Sequence, residues 1–164
     1  FHIHSEIYKA RPDVNAVLHA HPKVPILFTI AEGAKLIMVL NHGYRWRNGV
    51  PVHPDTAHID TPQLGREMVE TMGDANAVLL RAHGIVLASE SIETLLMDSI
   101  HFDRNAQALL ESSRLGKPIP MSDAEFDIFE ERFNRPKHGI KLWHYYSTRA
   151  MERGVLPSEW DNLI

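Results

Sequence analysis

The stretch Val14-Asn15-Ala16-Val17-Leu18-His19-Ala20-His21-Pro22 predicts a β-strand that ends in two histidines. Its apolar and partly β-branched residues favour a strand, and the proline after the second histidine ends it. Side chains two positions apart on a strand point to the same face of the sheet. His19 and His21 can therefore present two imidazoles to one point, or they can simply line a hydrated sheet face.

A second stretch predicts another strand end that carries a histidine. The apolar run Ala77–Leu80 leads into Arg81-Ala82-His83-Gly84. If both strands end at the same edge of one sheet, His83 joins the first two histidines. Three imidazoles can hold a divalent metal and leave open positions for substrate or water. The glycine after His83 lets the backbone pass close to a bound group.

Composition restricts the class of protein. The chain has 164 residues, 44% of them hydrophobic and 23% charged, as in an ordinary globular domain in water. A net charge of −4, with no long basic block, argues against nucleic acid as a partner. The absence of cysteine excludes disulfides and thiolate metal sites. No apolar stretch is long enough for a membrane span and no signal peptide is visible, so we expect a cytoplasmic protein without a membrane partner.

Strands interleaved with helices predict an α/β fold, a mixed sheet covered by helices. The predicted strands are Val14–His21, Lys35–Leu40, Ala77–Leu80 and Ile85–Ala88. The predicted helices are His4–Lys9, Pro25–Ala31 (a helix or a turn), Gln63–Met72 behind Thr61-Pro62, Ser91–Ser113, and Ser122 to about Phe133. The segment Asn41–Pro54 is predicted to be a loop, and the aromatic tail from Trp143 onward is predicted to be irregular.

Several other polar residues allow both a functional and a structural interpretation. Arg45 and Arg47 could clamp an anionic substrate, since arginine binds carboxylates in a bidentate manner, or could flank a packed tryptophan in an exposed loop. Glu6 could be a base, but a solvated glutamate on a surface helix is the interpretation we favour. Most other histidines are expected to be ordinary surface or core residues, including His53, His58, His138 and His144. No glycine-rich phosphate loop occurs, so nucleotide binding is not expected.

Two blocks of the chain resemble the class II aldolase/adducin family. Residues Ile7 to Pro22 are similar to the family's central signature, and Leu79-Leu80-Arg81-Ala82-His83-Gly84 is similar to its second block. The resemblance implies a three-layer α/β/α fold with a central mixed, mainly antiparallel sheet. It also implies that His19, His21 and His83 bind a divalent metal, zinc or manganese, with cobalt or iron as further options. Assembly as a homo-oligomer, preferably a tetramer, is implied as well.

The same resemblance assigns no residue of this chain as the catalytic base. The family's catalytic glutamate would stand four positions before His4, and that position precedes Phe1. The family's amino-terminal third, with its loops for an anionic group, is also missing. We therefore expect residues 1–164 to form a single class II aldolase-like domain that is incomplete at its amino terminus, and we do not assign Glu6 to the missing role.

The family resemblance implies a metal-dependent carbon–carbon lyase that acts on a small anionic molecule. The surroundings of His4 to Tyr8 and of Leu80 to Gly84 are more similar to the branch that decarboxylates hydroxylated aromatic or heteroaromatic carboxylates. Arg45, Arg47 and Arg81 would suit a dicarboxylate. One alternative is a phosphosugar aldolase or epimerase of the fuculose-phosphate aldolase type. Another is a non-catalytic adducin-like module, against which the three histidines argue.

Overall fold

The computed structural model describes residues 1–157 and 160. Four strands form its sheet: β1 (Ala16–Ala20), β2 (Val52–His53), β3 (Ala77–Leu80) and β4 (Gly84–Ser89). The α-helices are α1 (His2–Ala10), α2 (Lys23–Ile30), α3 (Pro62–Met72), α4 (Ile92–Leu115), α5 (Asp123–Arg132) and α6 (Arg135–Glu152), with a 3-10 helix at Asn41–Trp46. Of these described helices, none combines the length and the apolar character needed to span a bilayer.

The sheet is mixed and mainly antiparallel, in the order β1-β4-β3-β2. Strand β4 pairs antiparallel with both β1 and β3, whereas β2 runs parallel to β3. His19 on β1 lies opposite Val86 on β4, and Leu80 at the end of β3 lies opposite Gly84 at the start of β4. The register therefore brings the end of β1 and the β3–β4 turn to the same edge of the sheet.

Helices cover both faces of this sheet, which confirms the predicted three-layer α/β/α fold. Alternate residues of β3 and β4 point to opposite faces, as the pleat requires. One set packs into a core with α4, α5 and the Trp46 indole, and the other set packs against α1 and α3. Because neither face meets water, every residue of β3 and β4 is buried. This accounts for their continuous apolar runs.

Three of the predicted helices begin with a side-chain cap. The Thr61 hydroxyl accepts a hydrogen bond from the Leu64 amide, and Pro62 follows as the first helical residue. Ser91 begins α4 with a capping box, and Ser122 begins α5 with a second one completed by Glu125. These local signals fix where the helices begin.

The prediction of a strand at Lys35–Leu40 is wrong. Residues 1–157 provide no partner strand for this segment, because other elements satisfy its backbone groups. The buried Asn105 side chain of α4 accepts hydrogen bonds from the Val39 and Leu40 amides and donates one to the Ile37 carbonyl. The Met38 carbonyl accepts from the Met121 amide. A side chain thus takes the place of a partner strand.

Two further segments are more regular than predicted. The segment Asn41–Pro54, expected to be a loop, contains the 3-10 helix and the short strand β2. The tail from Trp143, expected to be irregular, is helical as far as Glu152 within α6. Helix α6 packs closely on α4, since a Cβ at Gly139 would lie 3.0 Å from Thr94 Cγ2. Residues 158, 159 and 161–164 of the predicted tail lie outside the described residues.

Candidate metal centre

His19 lies on strand β1, and His21 directly follows the last residue of that strand. The two side chains are on the same face of the sheet, as the spacing predicts. His19 Nδ1 lies 3.0 Å from the Ile85 carbonyl oxygen of β4, which can accept a hydrogen bond only from a protonated ring nitrogen. Nδ1 of His19 is therefore the donor, and the lone pair of Nε2 is left free for a ligand.

His83 comes to the same point from the turn between β3 and β4. Its ring centroid lies 4.9 Å from the centroids of both His19 and His21. His19 Nε2 and His21 Nε2 are 3.1 Å apart, and the possible ligand atoms of all three residues lie within 4.8 Å of one another. The structure thus brings together the three histidines that the sequence singled out.

The turn that carries His83 is tight and is held by helix α2. The His83 amide donates to the Leu80 carbonyl across the turn, and Ala82 has a φ of 55°. A left-handed conformation costs a non-glycine residue about 1 kcal/mol. Thr29 of α2 offsets this cost, because its hydroxyl accepts a 3.0 Å hydrogen bond from the Ala82 amide and donates to the Ile26 carbonyl.

Gly84 is required by the close approach of two strands at the histidines. A Cβ at this position would lie 2.5 Å from the Ala20 carbonyl oxygen and 2.7 Å from His21 Cδ2. It would also lie 3.2 Å from His19 Cε1. The glycine predicted to give room for a bound group therefore gives room first for the histidine rings themselves.

The surroundings favour neutral imidazoles. Burial lowers the pKa of His19, with a smaller contribution in the same direction from the neighbouring His21. Burial also lowers the pKa of His83, and the nearby His19, His21 and His58 add to this effect. A neutral imidazole has the free lone pair that a metal needs.

The donor set fits a divalent metal ion. Zinc–nitrogen bonds of 2.0–2.1 Å place tetrahedral ligands about 3.4 Å apart, close to the 3.1 Å between the two Nε2 atoms. Three protein ligands leave at least one coordination position open. His21 is exposed and the other two rings are half-buried, so this position is accessible to a small molecule. Such a site can polarise a substrate oxygen.

Of the three arginines predicted to bind substrate, Arg81 is adjacent along the chain to a candidate ligand, two residues before His83. It is exposed, and within the described residues no ion pair or hydrogen bond engages its guanidinium. Arg45 instead forms a salt bridge with the buried Asp98, and Arg47 forms salt bridges with two carboxylates of α5.

Arg45 lies at the other end of the strands. Its guanidinium contacts Ser89, which pairs with Ala16 at the start of β1, whereas His19 is near the end of β1. The structure thus separates Arg45 from the histidines. Nearby carboxylates neutralise the positive charges of Arg45 and Arg47. We leave these two arginines out of the candidate site.

Glu6 is not the solvated surface residue that we predicted. Its side chain is only 4% exposed, and its carboxylate accepts a 2.6 Å hydrogen bond from Lys9 Nζ, which lowers the pKa of Glu6. Its Cγ lies against Gly65 of α3, where a Cβ would approach it to 2.7 Å. The Glu6 side chain therefore packs at the contact between its own helix, α1, and helix α3.

A fourth histidine lies beside the cluster, although the sequence did not predict it there. His58, in the loop between β2 and α3, has its ring centroid 5.5 Å from that of His83, in an edge-to-face arrangement. No sequence signal pointed to it, because His58 lies in no periodic element and is far from His83 along the chain. His53, by contrast, is buried and pairs with the Thr71 hydroxyl, as expected of a core histidine.

Comparisons with known proteins bear on the family and the fold of this chain. The family model for the class II aldolase and adducin N-terminal domain matches residues 1–110. A 3,4-dihydroxyphthalate decarboxylase from Arthrobacter keyseri is 36% identical over 140 residues, which cover 80% of this chain and 56% of the relative. An L-fuculose phosphate aldolase from Escherichia coli (strain K12) is 27% identical over 144 residues, which cover 85% of this chain and 64% of the relative.

Solved structures show the same fold. The L-fuculose 1-phosphate aldolase from Glaciozyma antarctica PI12 superposes with a TM-score of 0.74 at 21% identity, covering 93% of this chain and 58% of that one. An aldolase II superfamily protein from Pseudomonas syringae superposes equally well at 22% identity, covering 93% of this chain and 62% of that one. The chain therefore spans less than two thirds of the length of each relative and structure named here.

Proposed function

The chain belongs to the class II aldolase and adducin family, and from this premise we propose that it is the metal-binding part of a carbon–carbon lyase. His19, His21 and His83 are the proposed ligands of one divalent metal ion. The observation that carries the proposal is the convergence of their ring nitrogens within 4.8 Å. Imidazole ligands suit zinc and manganese, and also cobalt and iron.

The metal would supply Lewis-acid chemistry, stabilising negative charge that develops on the substrate as the bond breaks. The residues of this chain have separate tasks. The Ile85 carbonyl fixes the orientation of the His19 ring, and the Thr29 hydroxyl fixes the turn that carries His83. The exposed Arg81 guanidinium is free to bind an anionic group of the substrate.

We propose decarboxylation of a hydroxylated aromatic or heteroaromatic carboxylate as the reaction. Support comes from the decarboxylase from Arthrobacter keyseri, which is more similar to this chain than the aldolase from Escherichia coli is. In this reaction a proton first adds to the ring carbon that carries the carboxylate, and the ring becomes a dienone whose carbonyl oxygen is the former hydroxyl oxygen. The bond between that carbon and the carboxylate then breaks, carbon dioxide leaves, and the electron pair passes through the ring to this oxygen, which restores the aromatic ring.

An aldol cleavage of a phosphosugar is the second candidate. It is supported by the 27% identity to L-fuculose phosphate aldolase. The same three histidines would serve it, because the breaking bond again leaves negative charge next to an oxygen of the substrate. The two candidates differ in the anionic group that the protein must bind, a ring carboxylate or a phosphate.

A product assay on the full-length, metal-loaded protein tests the proposal. Carbon dioxide release from 3,4-dihydroxyphthalate and other hydroxy-aromatic carboxylates is measured beside cleavage of L-fuculose 1-phosphate. We expect carbon dioxide release, together with loss of both bound metal and activity in His83→Ala, since two imidazoles hold a metal much less tightly than three. His144→Ala, at an exposed histidine of α6, is the matched control and should behave as wild type.

Cleavage of the phosphosugar without carbon dioxide release would reject the decarboxylase and favour the aldolase. Full metal occupancy and normal turnover in His83→Ala would reject the proposed ligands. A protein that takes up no divalent metal at all would favour a non-catalytic module of the family.

A further inference from the structure

The proposed function leaves His58, whose ring lies beside that of His83, without a role. We propose that His58 is a substrate-binding residue, whose imidazole N–H donates a hydrogen bond to a carboxylate of a hydroxy-carboxylate substrate at the mouth of the histidine cluster. This inference rests on the proposed function and names a residue that helps to select its substrate.

The position of His58 is fixed although its side chain is exposed. The Ala57 amide donates a 2.9 Å hydrogen bond to Asp55 Oδ1, and the Asp60 amide donates to the His58 carbonyl. The next residue, Ile59, packs against the core between the sheet and the helices α1 and α3. These local hydrogen bonds shape the backbone around His58, and Ile59 ties the loop to the core, which places His58 next to His83.

In the described part of the chain the His58 side chain has no hydrogen-bond partner. Its ring is exposed, and none of the side-chain hydrogen bonds between residues 1–157 involves it. Its one close neighbour among the aromatic rings described is His83, which it meets edge to face at 72°. A polar side chain held in place but unpaired is available to a ligand.

The chemistry around this position favours an anion. The three clustered histidines contribute no negative charge, and Arg81, two residues from His83, adds a guanidinium without a carboxylate partner. An imidazole N–H beside such a centre can donate a hydrogen bond to an oxygen of a bound molecule. A carboxylate has two acceptor oxygens, so one can accept from the His58 N–H while the other remains free for a second donor.

His58 lies outside the set of metal ligands. The three ligand rings are 4.8–4.9 Å apart between centroids, whereas His58 is 5.5 Å from His83. The group of described residues whose ligand atoms converge within 4.8 Å includes His19, His21 and His83 without His58. His58 therefore borders the space that a substrate would occupy next to the metal.

The test uses the Co²⁺-loaded protein, with salicylate as the probe. Salicylate carries a carboxylate next to a ring hydroxyl, and its binding changes the visible absorption of Co²⁺. We expect His58→Ala to bind Co²⁺ with the stoichiometry and affinity of wild type, but to bind salicylate about tenfold more weakly, as expected for one hydrogen bond to a charged group. His58→Asn, which keeps an N–H donor, should recover part of the affinity, and His144→Ala should equal wild type.

The variants separate this inference from the proposed function. Wild-type salicylate binding by His58→Ala would overturn the role of His58 and leave the proposed function intact. A loss of Co²⁺ affinity in His58→Ala would also overturn it, by making His58 a fourth metal ligand. Failure of the wild-type protein to take up Co²⁺ would overturn the proposed metal centre, and this inference with it.

Discussion

At Gly84 a missing side chain allows two strands and two histidine rings to meet. We expect Gly84→Ala to displace the His21 ring, because the new Cβ would lie 2.7 Å from His21 Cδ2 and 2.5 Å from a backbone oxygen that cannot move without disturbing β1. Overpacking of this kind costs about 1–3 kcal/mol of unfolding free energy. Metal affinity should fall as well. Denaturant unfolding measures the loss of stability, and metal titration measures the loss of affinity.

The matched control is Gly116→Ala. Gly116 ends α4 in extended backbone, with nothing within 4 Å of an added Cβ. This variant should keep the metal affinity of wild type. Equal metal affinity in Gly84→Ala and wild type would show that the histidines do not depend on this close approach.

The residues of the candidate site differed in how far sequence could predict them. His19 and His21 were predictable because the two-residue period of a strand fixes their common face. The nearness of His83 was predictable because it follows the end of an apolar run by three residues. That of His58 was not, since its place beside His83 depends on the path of an irregular loop. The ion pairs of Arg45 and Arg47 were not predictable either, because sequence does not reveal which carboxylates contact an arginine.

At the scale of elements, helix α2 supports the β3–β4 turn through a single hydroxyl. We expect Thr29→Val to free the Ala82 amide and loosen the left-handed turn that aims His83, since Thr29 Oγ1 is the acceptor for that amide. Metal affinity should fall several-fold, whereas the free energy of unfolding should fall by only about 1 kcal/mol, the worth of one hydrogen bond. Metal titration and thermal unfolding measure the two effects.

Thr29→Ser is the matched control, because it keeps the hydroxyl and loses only a methyl group. It should hold the metal as tightly as wild type. If Thr29→Val also binds the metal with unchanged affinity, the β3 and β4 pairing alone is sufficient to position His83.

Elements that begin with a local signal were predicted well, and elements defined by distant partners were not. Caps at Thr61, Ser91 and Ser122 are encoded within a few residues, so the starts of α3, α4 and α5 were correct. The segment Lys35–Leu40 has the composition of a buried strand, but Asn105, far along the chain, satisfies its backbone groups. Only the tertiary fold determines whether a strand or a side chain supplies those partners.

At the scale of the whole molecule, buried polar groups tie the carboxy-terminal helix to the sheet. Arg135 at the start of α6 donates to both oxygens of the buried Asp98 on α4, and also to Glu90, which directly follows β4. Its hydrogen bonds help to hold the pKa of Glu90 at about 2, against the opposing effect of burial. The apolar pattern of the sequence could not predict this network, because it depends on charges from three separate elements.

A second polar contact on the α4 side of the sheet makes stability depend on pH. His101 of α4 stacks on His42 with ring centroids 4.3 Å apart. Burial, the adjacent His42 and Arg104, and the charges of His138 and Arg135 lower the pKa of His101 to about 3. The pKa of His42 is lowered too, first by burial and then by Arg104, and its Nε2 is buried without a partner in the described residues. The folded protein therefore keeps this pair unprotonated at pH values where the unfolded chain binds protons.

Unfolding consequently takes up protons below pH 6.5, so the free energy of unfolding falls as the pH falls from 6.5 towards 3. Carboxylates with lowered pKa, such as Glu90, act in the same direction, but only below their ordinary value of 4.5. Between pH 7 and 5 the loss of stability is therefore due mainly to histidines. In denaturant unfolding with a chelator present, we expect His101→Gln to lose about 2 kcal/mol less over this interval than wild type does. The exposed-site variant His144→Gln should follow wild type, and equal slopes for His101→Gln and wild type would mean that the stacked pair takes up its protons without unfolding.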